Sequence, residues 1–268
     1  MRKVIYSSLA LFSALLMTAA NVSATSYGDN ITIYDGTEDA SHTGTGTGRE
    51  DNETEPGMVN NQLWDLEGFF QNGNTLSMVG GYNFATGKGG YNSGDIFIDT
   101  NASYGKDDTF TSNTSGNQEI QNNFGYEYVL DLNFTDNTYN VYALNGYSYT
   151  VTAWFPANEN DTPGSNPWRY SKEGSLISQN NSFSFTNQAD ITDTTLSVND
   201  THYAVTGLDL SFMPAGIDFV AHFTMGCGND NLMGSGTTAP VPEPATMMLF
   251  GTGITGLAAL QRRKFRKK

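Results

Sequence analysis

Glu127-Tyr-Val-Leu-Asp-Leu-Asn-Phe134 and, after a short break, Asn140-Val-Tyr-Ala-Leu144, Asn145-Gly146 and Tyr147-Ser-Tyr-Thr-Val-Thr-Ala-Trp-Phe155 decide the fold class. In a strand, side chains alternate between two faces. Tyr128, Leu130, Leu132 and Phe134 therefore share one face, with Val129, Asp131 and Asn133 on the other. Asn-Gly between two such runs is a strong short-range hairpin signal, because both residues tolerate positive φ. The reading is a hairpin of 140–144 with 147–155.

Working outward, similar short runs recur between turn clusters. They are Leu63–Phe70, Thr75–Tyr82, Asp95–Asp99, Ser182–Thr186 (with Phe183 and Phe185 alternating against hydroxyl residues), Thr195–Val198, His202–Leu210 and Ile217–Thr224. Pro156–Pro167 reads as a long polar loop, and no sustained helical period precedes the C-terminal tail. Many short, evenly spaced strands predict an all-β chain, a β-sandwich or jelly-roll-like domain. Trp64, Trp154 and Phe155 are assigned to its core.

Both ends of the chain differ from this body. Arg2 and Lys3 precede an apolar stretch from Val4 to Ala20, and Val22-Ser23-Ala24 offers small residues for cleavage after Ala24, so an N-terminal signal helix is expected. At the other end stand Val241-Pro242-Glu243-Pro244, the uncharged run Ala245–Leu260, and Arg262, Arg263, Lys264, Arg266, Lys267 and Lys268. As a helix the run spans about 24 Å, against a hydrocarbon core of roughly 30 Å, so a single short membrane helix is predicted. The basic cluster would remain cytoplasmic and place the body outside the inner membrane.

Pro242, Glu243 and Pro244, followed by an apolar segment and a basic end, resemble the PEP-CTERM sorting signal of Gram-negative bacteria. The resemblance implies an exported protein that passes through an inner-membrane intermediate and is processed at its tail by an exosortase. Its partners would then be signal peptidase, exosortase and, transiently, the inner membrane. The expected organisation is a signal peptide at 1–24, a flexible acidic segment at 25–60, a β-rich extracellular domain at 61–234, a linker at 235–240, and the sorting tail at 241–268. Asp95–Asn101 and His222–Asp230 also resemble stretches found together in a group of exosortase-dependent surface proteins. That second resemblance implies no catalytic role.

Charge limits the partners of the body. Of 13 basic residues, six lie in the tail and two in the head, leaving Arg49, Lys88, Lys106, Arg169 and Lys172. Of 28 acidic residues only Glu243 is in the tail, so the mature body carries about −22. Such a surface repels nucleic acid and anionic lipid. It suits calcium, whose ligands are carboxylates and carbonyls. Asp95, Asp99, Asp107 and Asp108 are the candidate ligands, with strand-end capping by Asp95 and Asp99 as the alternative. His222 and Cys227 lie five apart before a Gly-rich turn, but one cysteine and no second ligand cluster argue against zinc and exclude an internal disulfide. Neither a nucleophile elbow nor a nucleotide fingerprint is present.

The expectation is a non-enzymatic component of the extracellular matrix or biofilm. The alternative is a secreted polysaccharide-binding protein or glycoside hydrolase, with Tyr147, Trp168 and Tyr170 as a sugar-stacking face and a carboxylate pair for acid–base work.

Overall fold

The computed structural model describes residues 27–33, 58–59, 61–101, 117–154, 165–187, 196 and 201–240. These form strands β1 (Asp29–Asn30), β2 (Leu66–Asn72), β3 (Thr75–Gly80), β4 (Ile96–Asp99), β5 (Glu119–Gln121), β6 (Tyr128–Asn133) and β7 (Thr138–Ala143). They continue with β8 (Tyr149–Trp154), β9 (Ser165–Lys172), β10 (Ser175–Ser182), β11 (Ser184–Asn187), β12 (Tyr203–Asp209), β13 (Asp218–Thr224) and β14 (Asn231–Thr237). The only helical element among the described residues is a single 3-10 turn, Gln62–Trp64. The all-β expectation holds. The signal helix, the membrane helix, Ala24 and residues 242–244 lie outside the described residues.

The strands build three antiparallel sheets: β1-β2-β3-β12-β11, β10-β7-β6-β4-β13-β14, and β5-β8-β9. The six-stranded sheet has a packed layer on each face. Towards the first sheet, Leu66, Phe69, Leu76, Met78, Ile96, Ile98, Leu130, Leu132, Phe219 and Phe223 form the main core. Towards the third sheet, Phe97, Phe124, Tyr126 and Val129 form a smaller one. β4 therefore alternates between two interiors and is buried at every position. That is why Ile96-Phe97-Ile98 is continuously apolar, as expected of a strand covered on both faces. The alternation expected along β6 is also observed: Leu130 and Leu132 enter the main core and Val129 the smaller one.

Four expectations are corrected. The Asn145-Gly146 turn forms, with Ser148 N donating to Asn145 O at 3.0 Å, but the flanking strands do not pair with each other. β7 pairs with β6 and β10, whereas β8 pairs with β5 and β9. β7–β8 and β9–β10 instead run as one long ribbon that passes from the second sheet to the third. It bends at 144–148 beside 173–174, where Ser148 Oγ donates to Glu173 O at 2.7 Å. A polar turn that satisfies itself locally can serve a corner as well as a hairpin.

The second correction concerns the N-terminal segment, which is not separate from the domain at 29–33. β1 pairs with β2, and Ile33 N and Ser235 N then bond Met233 O and Ile31 O at 2.9 Å each. This segment stitches the first two sheets together along one side. The third concerns the supposed linker at 235–240. Its residues to Thr237 complete β14, and Thr238 is buried. β14 pairs with β13 over its whole length, so its glycine and hydroxyl residues form a ladder strand rather than a spacer. β9 likewise takes the end of the expected Pro156–Pro167 loop.

Candidate functional site

The strand directions define two poles. β13 starts where Asp218 pairs with Thr237 and ends where Thr224 pairs with Asn231. β4 and β6 bring Asp95 and Asn133 to the second of these poles through their pairings with β13 and β4, and Gly80 lies there too, paired with Leu66, whose N donates to Asp230.

A polar groove of about 530 Å³ opens there, lined by Asp131, Asn133, Asp136, Asn140, Arg169 and Asn180 together with parts of the 84–93 loop. The β6–β7 turn supplies one wall and β9 supplies Arg169. Asn140 Oδ1 accepts from Asn180 N at 3.0 Å and so ties the bulged edge strand β10 to the groove.

Beneath the groove, Asp95 is buried at 1% exposure. Its Oδ1 accepts from Leu132 N at 2.9 Å and its Oδ2 from Tyr170 N at 2.7 Å. One carboxylate thus joins β6 in the second sheet to β9 in the third. Burial pushes its pKa up to about 7, helped by the Asp131 charge and opposed by the two backbone donors and Arg169. Burial also raises Asp131, while an Asn140 hydrogen bond and Arg169 oppose the rise. Arg169 is the cation that both carboxylates feel.

The approach of β9 depends on Gly94. A Cβ at this position would lie 2.3 Å from Trp168 O and 2.5 Å from Thr224 O. Trp168 lies over Gly94 and Gly226, and its Nε1 donates to Asn92 O at 3.2 Å. Tyr170 stacks on Tyr142 with centroids 4.5 Å apart, and its hydroxyl accepts from Gly174 N at 3.0 Å. Tyr147 is 79% exposed at the ribbon corner. The three aromatics expected to form a sugar platform therefore have three separate roles.

His222 is buried against Phe97 and Tyr126. Its Nε2 faces Pro167 O at 3.2 Å and is therefore the protonated nitrogen, while Nδ1 contacts Met233 Sδ at 3.1 Å. Burial lowers its pKa to about 4, so it is neutral at pH 7. Burial also raises the Cys227 thiol. Neither group is set for nucleophilic or metal chemistry.

Asp99 accepts from Asn101 N at 2.8 Å in a local turn, and Glu127 Oε2 accepts from Thr100 N at 2.7 Å. Asp107 and Asp108 lie outside the described residues. Among the described residues no three His, Cys, Asp or Glu side chains group to hold a metal ion. A buried pair that sequence reading missed is Glu67 and His202, 3.0 Å apart, with Gln62 Nε2 donating to Glu67 at 2.5 Å. Asp131 and Arg169 were also missed. The available signals were a carboxylate next in register to Val129 and a cation in a body with only five.

The chain end supplies the observation that decides what kind of protein this is: residues 240–264 match the PEP-CTERM protein-sorting motif. The chain carries a PEP-CTERM sorting signal. It is accordingly an exosortase-targeted protein, exported to the cell surface or the extracellular space. No curated protein and no solved structure matches it.

The PEP-CTERM signal leaves from the pole opposite the groove, and the body grips the chain up to that point. Thr238 Oγ1 donates to Pro214 O at 2.6 Å, and Thr238 N bonds Ile217 O at 2.9 Å. Ala239 N donates to Asn74 Oδ1 at 2.7 Å, and Asn74 Nδ2 donates to Ala239 O at 3.1 Å. The first described residues lie at the same pole: Gly28, at φ 114°, sits against the backbone of Gln71.

Proposed function

We propose that the protein is a non-enzymatic component of the extracellular matrix or biofilm, delivered by its PEP-CTERM signal, with the polar groove as its contact to extracellular polysaccharide. The observation that supports binding is the composition of the groove. Amides, carboxylates and one guanidinium converge there, and such groups hydrogen-bond hydroxyl-rich ligands. Catalysis receives less support, because Asp95 spends both oxygens on backbone donors and is closed to solvent. It cannot act as the partner carboxylate that glycoside hydrolysis requires. The high negative charge of the body favours a neutral or cationic polymer over an acidic one.

The route would run through signal peptidase at Ala24 and an inner-membrane intermediate held by 245–260. Of the four candidate calcium ligands, Asp95 is set aside because both its oxygens accept from buried backbone donors, and calcium ligation through Asp99, Asp107 and Asp108 belongs to the same proposal. Millimolar Ca²⁺ should raise the melting temperature, and no shift would retire it. The binding claim is tested by titrating the purified body with neutral extracellular polysaccharide. Binding should be lost on Asp131→Asn combined with Arg169→Ala, and unchanged binding would contradict the groove assignment.

A further inference from the structure

Among the described residues, Ala239 is the last that hydrogen-bonds to the body, and it stands three positions before Pro242. Three residues, even fully extended, reach only about 11 Å. Any enzyme that holds Pro242-Glu243-Pro244 in its cleft is therefore within that distance of the surface around Ala239. The surface is built from the Gly73–Asn74 turn, the exposed loop at Pro214–Gly216 and the exposed Asp218. It is held rigidly. Leu210 N donates to Asn74 O at 2.8 Å, Gly216 N donates to Thr238 O at 2.9 Å, and Gln71 Nε2 donates to Thr237 O at 2.8 Å. The groove lies a full seven-residue strand away, about 20 Å.

We propose that this exit pole is the docking face of the body for exosortase, so that the enzyme meets the motif and the pole as one surface. The Asn74–Ala239 pair of hydrogen bonds sets the spacing, because it prevents residues 237–239 from acting as a tether. The Pro214–Gly216 loop and Asp218 are the parts that touch the enzyme. The groove faces away, so a ligand bound there leaves processing unobstructed. The inference rests on the sorting reading above and adds the partner-facing surface.

The test is site-specific photo-cross-linking of the full chain in its producing cells. A photoreactive residue is placed either at Ala215 on the exit pole or at Thr135 on the groove pole, both exposed. Ala215 should capture exosortase, Thr135 should not, and the Ala215 product should be lost when a ten-residue Gly-Ser spacer follows Ala239. Equal capture from both positions, persistence of the Ala215 product with the spacer, or no capture from Ala215 while the tail is still processed would overturn the proposal. Replacing Pro242, Glu243 and Pro244 by alanines is the separate control. Tail processing that ignores this change would sink the sorting reading, independently of where the body docks.

Discussion

The two poles of the sandwich are held by different chemistry. At the exit pole, the chain is fixed mainly by neutral groups: the Asn74 amide, the Gln71 amide and the Thr238 hydroxyl. At the groove pole, the second and third sheets are joined by buried ionisable groups: Asp95 bonded to two strands and His222 bonded to Pro167. Neutral bonds hold the same geometry at any pH, whereas buried acids and bases make the packing around them pH-dependent. The end that presents the sorting signal, where the ionisable Asp218 is exposed and bonds the Thr237 hydroxyl, is thus less sensitive to pH than the end that carries the groove.

The largest effect expected from this contrast is at Asp95. Asp95→Ala leaves the Leu132 and Tyr170 N–H groups buried without acceptors, at about 1–3 kcal/mol each. Denaturant midpoints should show a loss of about 4 kcal/mol. A loss below about 1 kcal/mol would mean that the third sheet is not held through this carboxylate.

The next effect concerns pH. The folded-state pKa of Asp95 is raised from 3.8 to about 7, so its contribution is present at acid pH and is lost as pH rises through that window. The folded-state pKa of His222 is lowered from 6.5 to about 4, so its contribution is present above pH 6.5 and is lost as pH falls towards 4. The two slopes oppose each other over the shared range, each at up to about 1.4 kcal/mol per pH unit. Relative to the wild type, Asp95→Asn should lose stability on acidification from pH 6.5 to 4, and His222→Gln should gain it. Parallel pH profiles for all three proteins would break the contrast between the poles.

Asn74→Ala should cost less, about 1–2 kcal/mol. The loss should be the same at pH 5 and pH 7, because no ionisable group is removed. Tyr147→Ala, at 79% exposure, should change stability by less than about 0.5 kcal/mol and serves as the baseline for the series.

Much of the sandwich was legible in the sequence where side-chain alternation is strong. β3, β4, β6, β12 and β13 carry apolar residues that bury, and their positions follow from period-two patterning or, in β4, from a short continuous apolar run. β10 and β14 were not legible. Ser175–Ser182 is an edge strand exposed along most of its length, and Asn231–Thr237 offers only Leu232 and Met233, adjacent and therefore on opposite faces, before glycine and hydroxyl residues, so neither shows a sustained apolar face. Their pairing comes from backbone hydrogen bonds, which composition does not encode. The Asn145-Gly146 turn misled for a related reason. It reports local conformation, and only the partners β5, β6, β9 and β10 decide which strand lies beside which. The site followed the same rule. Asp95 could be recognised as a strand-end carboxylate, but its link to Tyr170, 75 positions away, exists only in three dimensions.

The central claim is that the tail is an address removed from a body that holds the chain at Ala239 through the Asn74 clamp. The most direct test is the intact mass and C-terminal peptide of the protein recovered from outside the producing cells. The account predicts a form that retains Ala239 and lacks the apolar and basic residues 245–268. An extracellular protein that still ends in Lys267-Lys268 would contradict it.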